Sequence, residues 1–458
     1  MAGVQPAIID LGVLDRADAD RADRDAAWPG LPEARRPWRF LRRLLIAATV
    51  GITLAAVTGA APISRGLIPT LTAPLGGNGE MAVGGDAVYA LTWHPNSTEL
   101  IAYRLADGAR RWAVPTGATR LEGNVGVLMF GDVVVVTDWG STSGPGEPGA
   151  WSTGFDAHDG ARLWRRDGVV NGTAAGGRLV MTREFPLPLG AGGWGMDIDL
   201  VEPRTARPIW SLRLDQDGYR QYSFDWISTP GQELTRLVTL TGSGKLRSYD
   251  LATGKMIAER PMPTLDTLSQ LNPVNGAVLL SEDSDPTLLT AYGVDDLAWR
   301  WNARVLRDWM TGVACGSFIC LPTDAGLRAV DPITGENAWV RPDLVIANDL
   351  GSPWPRATGT ALRQDQATSD LIDVRTGRTI VSLGRWTPVE QGRGAAYLMT
   401  MPQPPPENRS VWLGRYLPEL RAVERLAVLP EVMYCQHPGD YVVCATFRYE
   451  VRAWRLPT

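Results

Sequence analysis

The sequence predicts an all-β fold: a β-propeller built from four-stranded blades and preceded by one transmembrane helix. Three observations lead to this prediction: a composition rich in turn-forming and aromatic residues, a short phrase that recurs along the chain, and one long uncharged stretch near the N-terminus. The 458 residues can bury a sizeable core in one large repeat architecture. The 49 Gly, 34 Pro and 18 Trp residues indicate many turns between short strands.

The formal net charge of −5 bears on the class of partner that the protein can bind. A general nucleic-acid binder needs a basic face, which this balance of charges does not supply. We therefore expect no nucleic-acid partner.

The uncharged stretch, Leu44–Ile63, predicts a single transmembrane span. About 20 residues that rise 1.5 Å each can cross a hydrocarbon core of roughly 30 Å. Positive charge concentrated before a span places its N-terminus in the cytoplasm. We expect residues 1–43 to form a polar cytoplasmic tail and residues 66–458 to form an extracytoplasmic propeller anchored in the cell membrane. The arginines before the span are Arg35, Arg36, Arg39, Arg42 and Arg43.

Two other interpretations of this stretch stay open. Small residues near Thr58–Ala61 could form the cleavage site of a signal peptide, although the charged leader is long for a secretory signal. The stretch could also be a buried core helix of a soluble domain. Both alternatives would remove the predicted anchor.

From about residue 80 onward one phrase recurs: a short apolar strand, an Asp or similar residue, a Gly-containing turn, and a second strand that often carries Trp. The copies are spaced by roughly 40–50 residues, which is typical of propeller blades. Another pair of short strands precedes each copy, and four strands make one blade. The copies are Ala102–Val114, Gly154–Arg166, Asp199–Leu212, Leu246–Arg260, Leu289–Asn302, Leu327–Arg341, Ser369–Leu383 and, in degraded form, Val411–Leu426.

The residues of the phrase are those of a hairpin turn. The Asp side chain caps the turn, and the Gly adopts a positive φ. A Trp follows four residues after the turn Gly or its equivalent, so the same position of each outer strand carries a large apolar side chain. We expect these side chains to pack against the neighbouring blade. They are Trp112, Trp164, Trp210 and Trp339.

The phrase, written as strand–Asp-x-x-Thr-Gly-x-x-x-Trp, resembles the pyrroloquinoline-quinone-like (PQQ-like) propeller repeat. The resemblance covers about residues 66–458. Bacterial quinoprotein dehydrogenases share this repeat with non-enzymatic relatives, among them the outer-membrane assembly lipoprotein of Gram-negative bacteria. The resemblance implies a bacterial propeller. Whether the chain belongs with the enzymes or with the non-enzymatic relatives depends on whether it has the residues of the enzymes.

The number of blades depends on how the ring closes. The C-terminal segment supplies the inner strands of a blade but stops before an outer strand, and Leu67–Gly76 reads like that missing strand. An N-terminal strand in this place would protect the open edge. Eight turns and this composite blade would give nine blades. Because eight is the usual upper size, we expect eight, with one weak copy as a decoration; nine or seven stay compatible with the pattern.

The four cysteines form two local pairs, Cys315 with Cys320 and Cys435 with Cys444, and each pair flanks a turn between two strands. In an oxidising compartment this spacing predicts two hairpin disulfides. Free thiols are one alternative. A metal site is another, but it needs four suitable ligands and the chain has only three His.

The sequence departs from the pattern of a quinoprotein dehydrogenase. The resemblance would imply two adjacent cysteines over the cofactor, a calcium site and a catalytic Asp, but the sequence has no Cys-Cys dipeptide. Capping explains most of the Asp residues, and His94, His158 and His437 form no evident triad. We therefore predict no enzyme activity, no cofactor, and no catalytic or metal-binding residue. The turn carboxylates are Asp107, Asp159, Asp250, Asp331 and Asp373.

Three segments look like extra loops on the propeller: Gly140–Trp151, Pro186–Trp194 and Pro402–Pro406. Loops on a rigid scaffold often carry recognition, although tolerated insertions explain them equally well. The sequence thus predicts a membrane-anchored binding or scaffolding module for a protein or an envelope component. The alternative function is a quinone- or calcium-dependent oxidoreductase on the same fold.

Overall fold

The computed structural model describes one β-propeller, within the compact unit Ser64–Thr458. The predicted tail and span lie outside the described residues, among which no helix is long and apolar enough to cross a membrane. The described residues are 66–76, 80–94, 97–118, 125–139, 149–186, 194–214, 219–224, 233–262, 268–282, 284, 286–306, 312–350, 358–363, 368–389, 398–402 and 409–457.

Within these residues the chain forms nine four-stranded sheets, the blades. Blade 1 consists of β2–β5, and each later blade takes the next four strands up to β30–β33 in blade 8; blade 9 combines β34–β36 with β1. The strands are β1 (Ile68–Pro74), β2 (Met81–Gly84), β3 (Ala87–His94), β4 (Ser97–Arg104), β5 (Arg110–Pro115), β6 (Val125–Phe130), β7 (Val133–Asp138), β8 (Trp151–Asp156), β9 (Arg162–Asp167), β10 (Val169–Ala174), β11 (Arg178–Pro186), β12 (Trp194–Val201), β13 (Pro208–Leu214), β14 (Tyr219–Phe224), β15 (Arg236–Thr241), β16 (Lys245–Asp250), β17 (Met256–Pro261), β18 (Leu268–Val274), β19 (Ala277–Glu282), β20 (Thr287–Gly293), β21 (Trp299–Val305), β22 (Val313–Cys315), β23 (Phe318–Thr323), β24 (Gly326–Val330), β25 (Asn337–Arg341), β26 (Leu344–Asp349), β27 (Thr358–Arg363), β28 (Ser369–Asp373), β29 (Arg378–Gly384), β30 (Thr387–Pro388), β31 (Leu398–Pro402), β32 (Val411–Leu417), β33 (Ala422–Leu429), β34 (Val432–Gln436), β35 (Tyr441–Thr446) and β36 (Glu450–Arg455).

The burial of each strand follows its place in the blade. First strands of neighbouring blades contact each other, as β2 does with β6 and β14 with β18, so the first strands lie on the inside of the ring. Second strands lie between neighbouring blades and are buried on both faces, which explains unbroken apolar runs such as that of β7. Fourth strands such as β9 expose alternate residues, because only one of their faces is covered.

The third and fourth strands are joined by the same turn in seven blades. A residue with positive φ donates its backbone N–H to the carbonyl oxygen four positions earlier, at 2.8–2.9 Å. Glycine takes this conformation at little cost, but Ala206 and Leu297 take it as well. Turns without Gly therefore keep the repeat geometry. The seven residues are Gly108, Gly160, Ala206, Gly254, Leu297, Gly335 and Gly377.

The N-terminal strand closes the ring, as the sequence predicts. β1 pairs antiparallel with β36 as the outer strand of blade 9, from Ile68 opposite Arg455 to Pro74 opposite Glu450. Its side chains Leu71 and Ala73 are buried in a cluster that reaches into blade 1. The two ends of the chain thus complete one blade together.

The expectation of eight blades is wrong, because the degraded copy forms a full blade. Val411–Leu417 and Ala422–Leu429 pair as the third and fourth strands of blade 8. This copy lacks the turn Gly, and Arg421 has the positive φ in its place. Its buried side chains Leu413 and Leu426 form a core with blade 9, and that burial decides whether the segment is a blade.

Both predicted disulfides are confirmed. Cys315–Cys320 joins the first two strands of blade 6, and Cys435–Cys444 joins the first two strands of blade 9. Cys435 and Cys444 lie directly opposite each other, with Cα atoms 4.1 Å apart. All four cysteines of the sequence are used in this way.

Candidate interaction face

The strand order divides the connections of the propeller between two faces. In an antiparallel sheet, the connection between the first two strands and that between the last two leave from the same edge. We call this edge of the ring the turn face. The connections between the second and third strands, and those between successive blades, form the opposite edge, which we call the loop face.

All three predicted loops belong to the loop face. Each joins the second and third strands of its blade: Gly140–Trp151 in blade 2, Pro186–Trp194 in blade 3 and Pro402–Pro406 in blade 8. Residues 140–148, 187–193 and 403–408 lie outside the described part of the chain. Beside two of these loops, a flanking strand carries an aromatic ring that is covered by an Arg of the fourth strand of the same blade. Arg165 lies 4.0 Å from the ring of Trp151, and Arg213 lies 4.3 Å from that of Phe185.

The loop face of blades 8 and 9 also presents apolar and aromatic side chains to solvent. Phe447 and Tyr449, in the turn between β35 and β36, are 41% and 51% exposed, and Met433 of β34 is exposed as well. The guanidinium of Arg409 lies 4.5 Å from the centre of the Phe447 ring. We call Arg409, Met433, Phe447 and Tyr449 the loop-face patch. Exposed aromatic residues and Arg are typical of protein-binding surfaces.

The backbone around the loop-face patch takes a conformation that L-residues rarely adopt. Glu431 has φ +52° and Tyr449 has φ +57°, where glycine would be less strained. The Glu431 carbonyl accepts the N–H of Phe447 at 2.7 Å, so the two turns are hydrogen-bonded to each other. The hydrogen bond from Arg448 lowers the pKa of the Glu431 carboxyl.

A cavity of about 200 Å³ lies beside the loop-face patch, between the inner strands of blades 8 and 9. It has room for one large apolar side chain, and most of its lining is apolar. Met433 belongs to both the patch and the cavity, and Cys435 of the blade 9 disulfide forms part of the wall. The lining residues are Pro388, Val389, Thr400, Val411, Val432, Met433, Tyr434 and Cys435.

The carboxylates of the repeat lie on the turn face, where their oxygen atoms accept hydrogen bonds from the turn backbone. The Asp331 carboxylate accepts the N–H of Ile333 and of Thr334, each at 2.8 Å, and these bonds lower its pKa. Each of the other four turn carboxylates also accepts a backbone N–H of its own turn, so a structural role accounts for its position. They are Asp107, Asp159, Asp250 and Asp373.

The three histidines lie in different blades. His94 ends β3 in blade 1, His158 lies in the last turn of blade 2, and His437 follows β34 in blade 9. Burial lowers the pKa of His437, whose Nδ1 finds no hydrogen-bond partner among the described residues. Within those residues no three His, Cys, Asp or Glu side chains lie close enough together to hold a metal ion.

Each of the four predicted tryptophans lies on the last turn of the next blade. The indole N–H donates to a backbone carbonyl there, from Trp339 to Val374 at 2.8 Å for example. Three rings also lie so close to the next turn's Gly that a Cβ there would be less than 3 Å from the indole. Trp210 is half-buried and the other three are buried. The remaining acceptors are Ala157 for Trp112, Pro203 for Trp164 and Leu251 for Trp210.

The sequence reasoning missed a fifth tryptophan of this kind. Trp301 donates its indole N–H to the Pro332 carbonyl at 3.1 Å and covers Gly335. It lies four residues after Leu297, the positive-φ residue that replaces Gly in its blade. Counting four residues from the positive-φ position identifies Trp301 and not Trp299. The sequence does not mark that position in this blade, because Leu297 stands where other turns have Gly.

The sequence reasoning also missed three arginines that join blades. Each lies on a fourth strand, two positions after the place that Trp occupies in the repeat. Its guanidinium donates to the backbone carbonyl of the positive-φ residue in the last turn of the next blade. Arg260, for example, reaches the Leu297 carbonyl at 3.1 Å. Arg166 and Arg341 make the corresponding bonds to the carbonyls of Ala206 and Gly377.

No protein-family model and no curated protein matches the chain. Among solved structures, BamB from Moraxella catarrhalis is 20% identical, with 61% of this chain and 77% of that chain covered and a TM-score of 0.35. The computationally designed Ika8 protein is 10% identical, with 85% and 100% covered and a TM-score of 0.43. The C-terminal WD40 domain of Sif2 is 10% identical, with 86% and 99% covered and a TM-score of 0.41. The propeller fold itself rests on the nine sheets.

Proposed function

We propose that this chain is a membrane-anchored, extracytoplasmic module that binds a protein or an envelope component through its loop face. One observation carries the proposal: the three long Gly- and Pro-rich loops share a face with the exposed aromatic residues Phe447 and Tyr449. The cavity beside Met433 offers room for an anchoring side chain of the partner. The anchor itself is the predicted span, Leu44–Ile63.

A non-catalytic role is supported by the way the repeat uses its reactive side chains. The turn carboxylates accept backbone hydrogen bonds on the turn face, and the cysteines close two hairpins. These side chains thus have structural roles. The loop face offers its loops and exposed aromatic residues for binding, which is the role that we propose.

The loop-face patch should decide partner capture. We expect the full-length chain, solubilised from membranes in detergent, to retain a partner that the double variant Phe447→Ser/Tyr449→Gly loses by at least about tenfold, because aromatic residues dominate interface energetics. Glycine suits the positive φ of Tyr449, so the fold should tolerate this change. Quantitative mass spectrometry of the captured proteins measures the loss.

The matched control is Val340→Ser, because Val340 is similarly exposed but lies on the outer strand of blade 6. The Val340→Ser variant should retain as much partner as the wild-type chain does. Equal capture by the loop-face double variant would contradict the proposed binding face.

The proposed topology can be tested with the chain's two lysines, Lys245 and Lys255, which both lie in blade 4. A membrane-impermeant amine reagent added to intact cells should label the wild-type chain, because the lysines would lie outside the cell. The variant Lys245→Arg/Lys255→Arg should stay unlabelled, since only its N-terminal amine remains and that amine would be cytoplasmic. Equal labelling of both chains would come from the N-terminal amine and would reverse the assignment; labelling of neither chain until the cells are lysed would place the propeller inside.

A further inference from the structure

The turn face carries most of the strongly exposed apolar side chains of the propeller. Among the described residues, six large hydrophobic side chains are more than half exposed. One of them, Tyr449, belongs to the loop-face patch. The other five lie on the turn face, either in the last turn of a blade or at the end of the fourth strand beside it. They are Leu420 (70%), Ile333 (66%), Ile68 (58%), Trp299 (55%) and Met256 (52%).

These five residues occupy one arc of the ring. Met256, Trp299 and Ile333 belong to blades 4, 5 and 6, while Leu420 and Ile68 belong to blades 8 and 9. The turn face of blades 1–3 has no side chain of this size and exposure among the described residues. The five side chains are spread one to a blade, so a partner that contacts all of them must be broad and flat, as the surface of a bilayer is.

The chain enters the propeller on the same face. β1 begins at Ile68, and Ile68 pairs with Arg455, at the end of β36 where the turn face of blade 9 lies. The predicted span ends at Ile63, so residues 64–67 are the only link between the span and the strand. Four extended residues reach at most about 14 Å. If the span anchors the chain, the turn face of blade 9 must lie close to the bilayer.

Acidic side chains outnumber basic ones around the arc. The basic side chains are Lys255 and Arg421 in the turns and Arg300 at the start of β21. The acidic ones, in or directly beside the same turns, are Asp250, Asp295, Asp296, Asp331, Glu336 and Glu419. Attraction to anionic lipid therefore does not explain the face. A Trp surrounded by aliphatic side chains suits the boundary between headgroups and acyl chains, where aromatic rings are enriched.

We propose that the turn face of blades 4–9 rests on the outer surface of the lipid bilayer, with Ile68, Met256, Trp299, Ile333 and Leu420 in its interfacial layer. This inference rests on the proposed membrane anchor. It leaves the loop face directed away from the membrane, where the loop-face patch is accessible to a partner.

Lipid contact can be measured on the full-length chain in phosphatidylcholine vesicles that contain a nitroxide-labelled lipid. All native cysteines are in disulfides, so Ile333→Cys and Leu420→Cys each provide one free thiol for an environment-sensitive fluorophore. Phe447→Cys, on the loop face, is the matched control. We expect the nitroxide lipid to quench the labels at 333 and 420 at least about twofold and to leave the label at 447 unchanged, as for side chains inside and outside the interface. Anionic lipid should not increase the quenching, because acidic side chains outnumber basic ones around the arc.

The outcomes separate this inference from the proposed anchor. If the chain resists alkaline extraction but neither turn-face label is quenched, the anchor stands and the lipid contact is refuted. If both labels are quenched although alkali strips the chain from the vesicles, the lipid contact stands without the span. Quenching at 447 instead would place the loop face on the membrane and overturn the inference. Protection of the turn-face labels from aqueous iodide without lipid quenching would show that protein covers this face, which also overturns it.

Discussion

Replacing Trp301 by alanine is expected to lower the free energy of unfolding by about 3–5 kcal/mol, the usual cost of deleting a buried aromatic side chain. Replacing Trp299, two residues earlier in the same strand, should change it by no more than about 0.5 kcal/mol. Trp301 is 6% exposed and Trp299 is 55% exposed, so the two variants differ in burial and not in residue type or strand. Denaturant titration of the detergent-solubilised chain, followed by far-UV circular dichroism, measures both values.

The physical reason lies in the contact between blades 5 and 6. The Trp301 ring covers Gly335, and its Nε1–H donates to the part-buried carbonyl of Pro332, so alanine would leave a cavity and remove this hydrogen bond. Trp301→Phe keeps an aromatic ring but removes the hydrogen bond, and its loss should lie between those of the two alanine variants. Similar losses for Trp299→Ala and Trp301→Ala would refute the assignment of Trp301 as a blade-packing residue.

Replacing Leu71 by aspartate is expected to destabilise the ring by about 4 kcal/mol or more, because it places an unpaired charge in an apolar core. Leu71 packs in the cluster that joins blades 9 and 1. The charge can reach water only if β1 leaves blade 9, which would expose the edge of β36 to other chains. We therefore expect loss of ring closure, rapid proteolysis at the N-terminal strand and concentration-dependent aggregation.

The neighbouring residue Thr72 provides the control, because its side chain points to the opposite side of β1 and is exposed. Thr72→Asp adds the same charge to the same strand and should change stability by no more than about 0.5 kcal/mol. Limited proteolysis and light scattering distinguish the two variants. If both resist protease as the wild-type chain does, β1 does not hold the ring closed.

Features that depend on a few neighbouring residues could be predicted from the sequence. The hairpin disulfides Cys315–Cys320 and Cys435–Cys444 follow from cysteines that flank short turns. The repeated turns follow from Asp and Gly at a fixed spacing, since both residues act within about five positions of each other. The closing strand Ile68–Pro74 could be predicted because the last blade lacked its outer strand. These signals are local, so the order of residues along the chain carries them.

The tertiary structure decided what depends on contacts between blades. The propeller has nine blades and not eight because the degraded copy forms blade 8. The third and fourth strands of that blade bury their apolar side chains, although the turn between them has lost its Gly. Burial likewise separates Trp301 from Trp299, and only the register of a turn that contains Leu297 shows which ring faces the next blade. Side chains that join blades, such as Trp112, Arg260 and Trp301, have hydrogen-bond partners 31–45 positions away in the sequence. Sequence alone determined the repeating unit and its closure, while the packing of one unit on the next determined the number of blades and the residues that share each face.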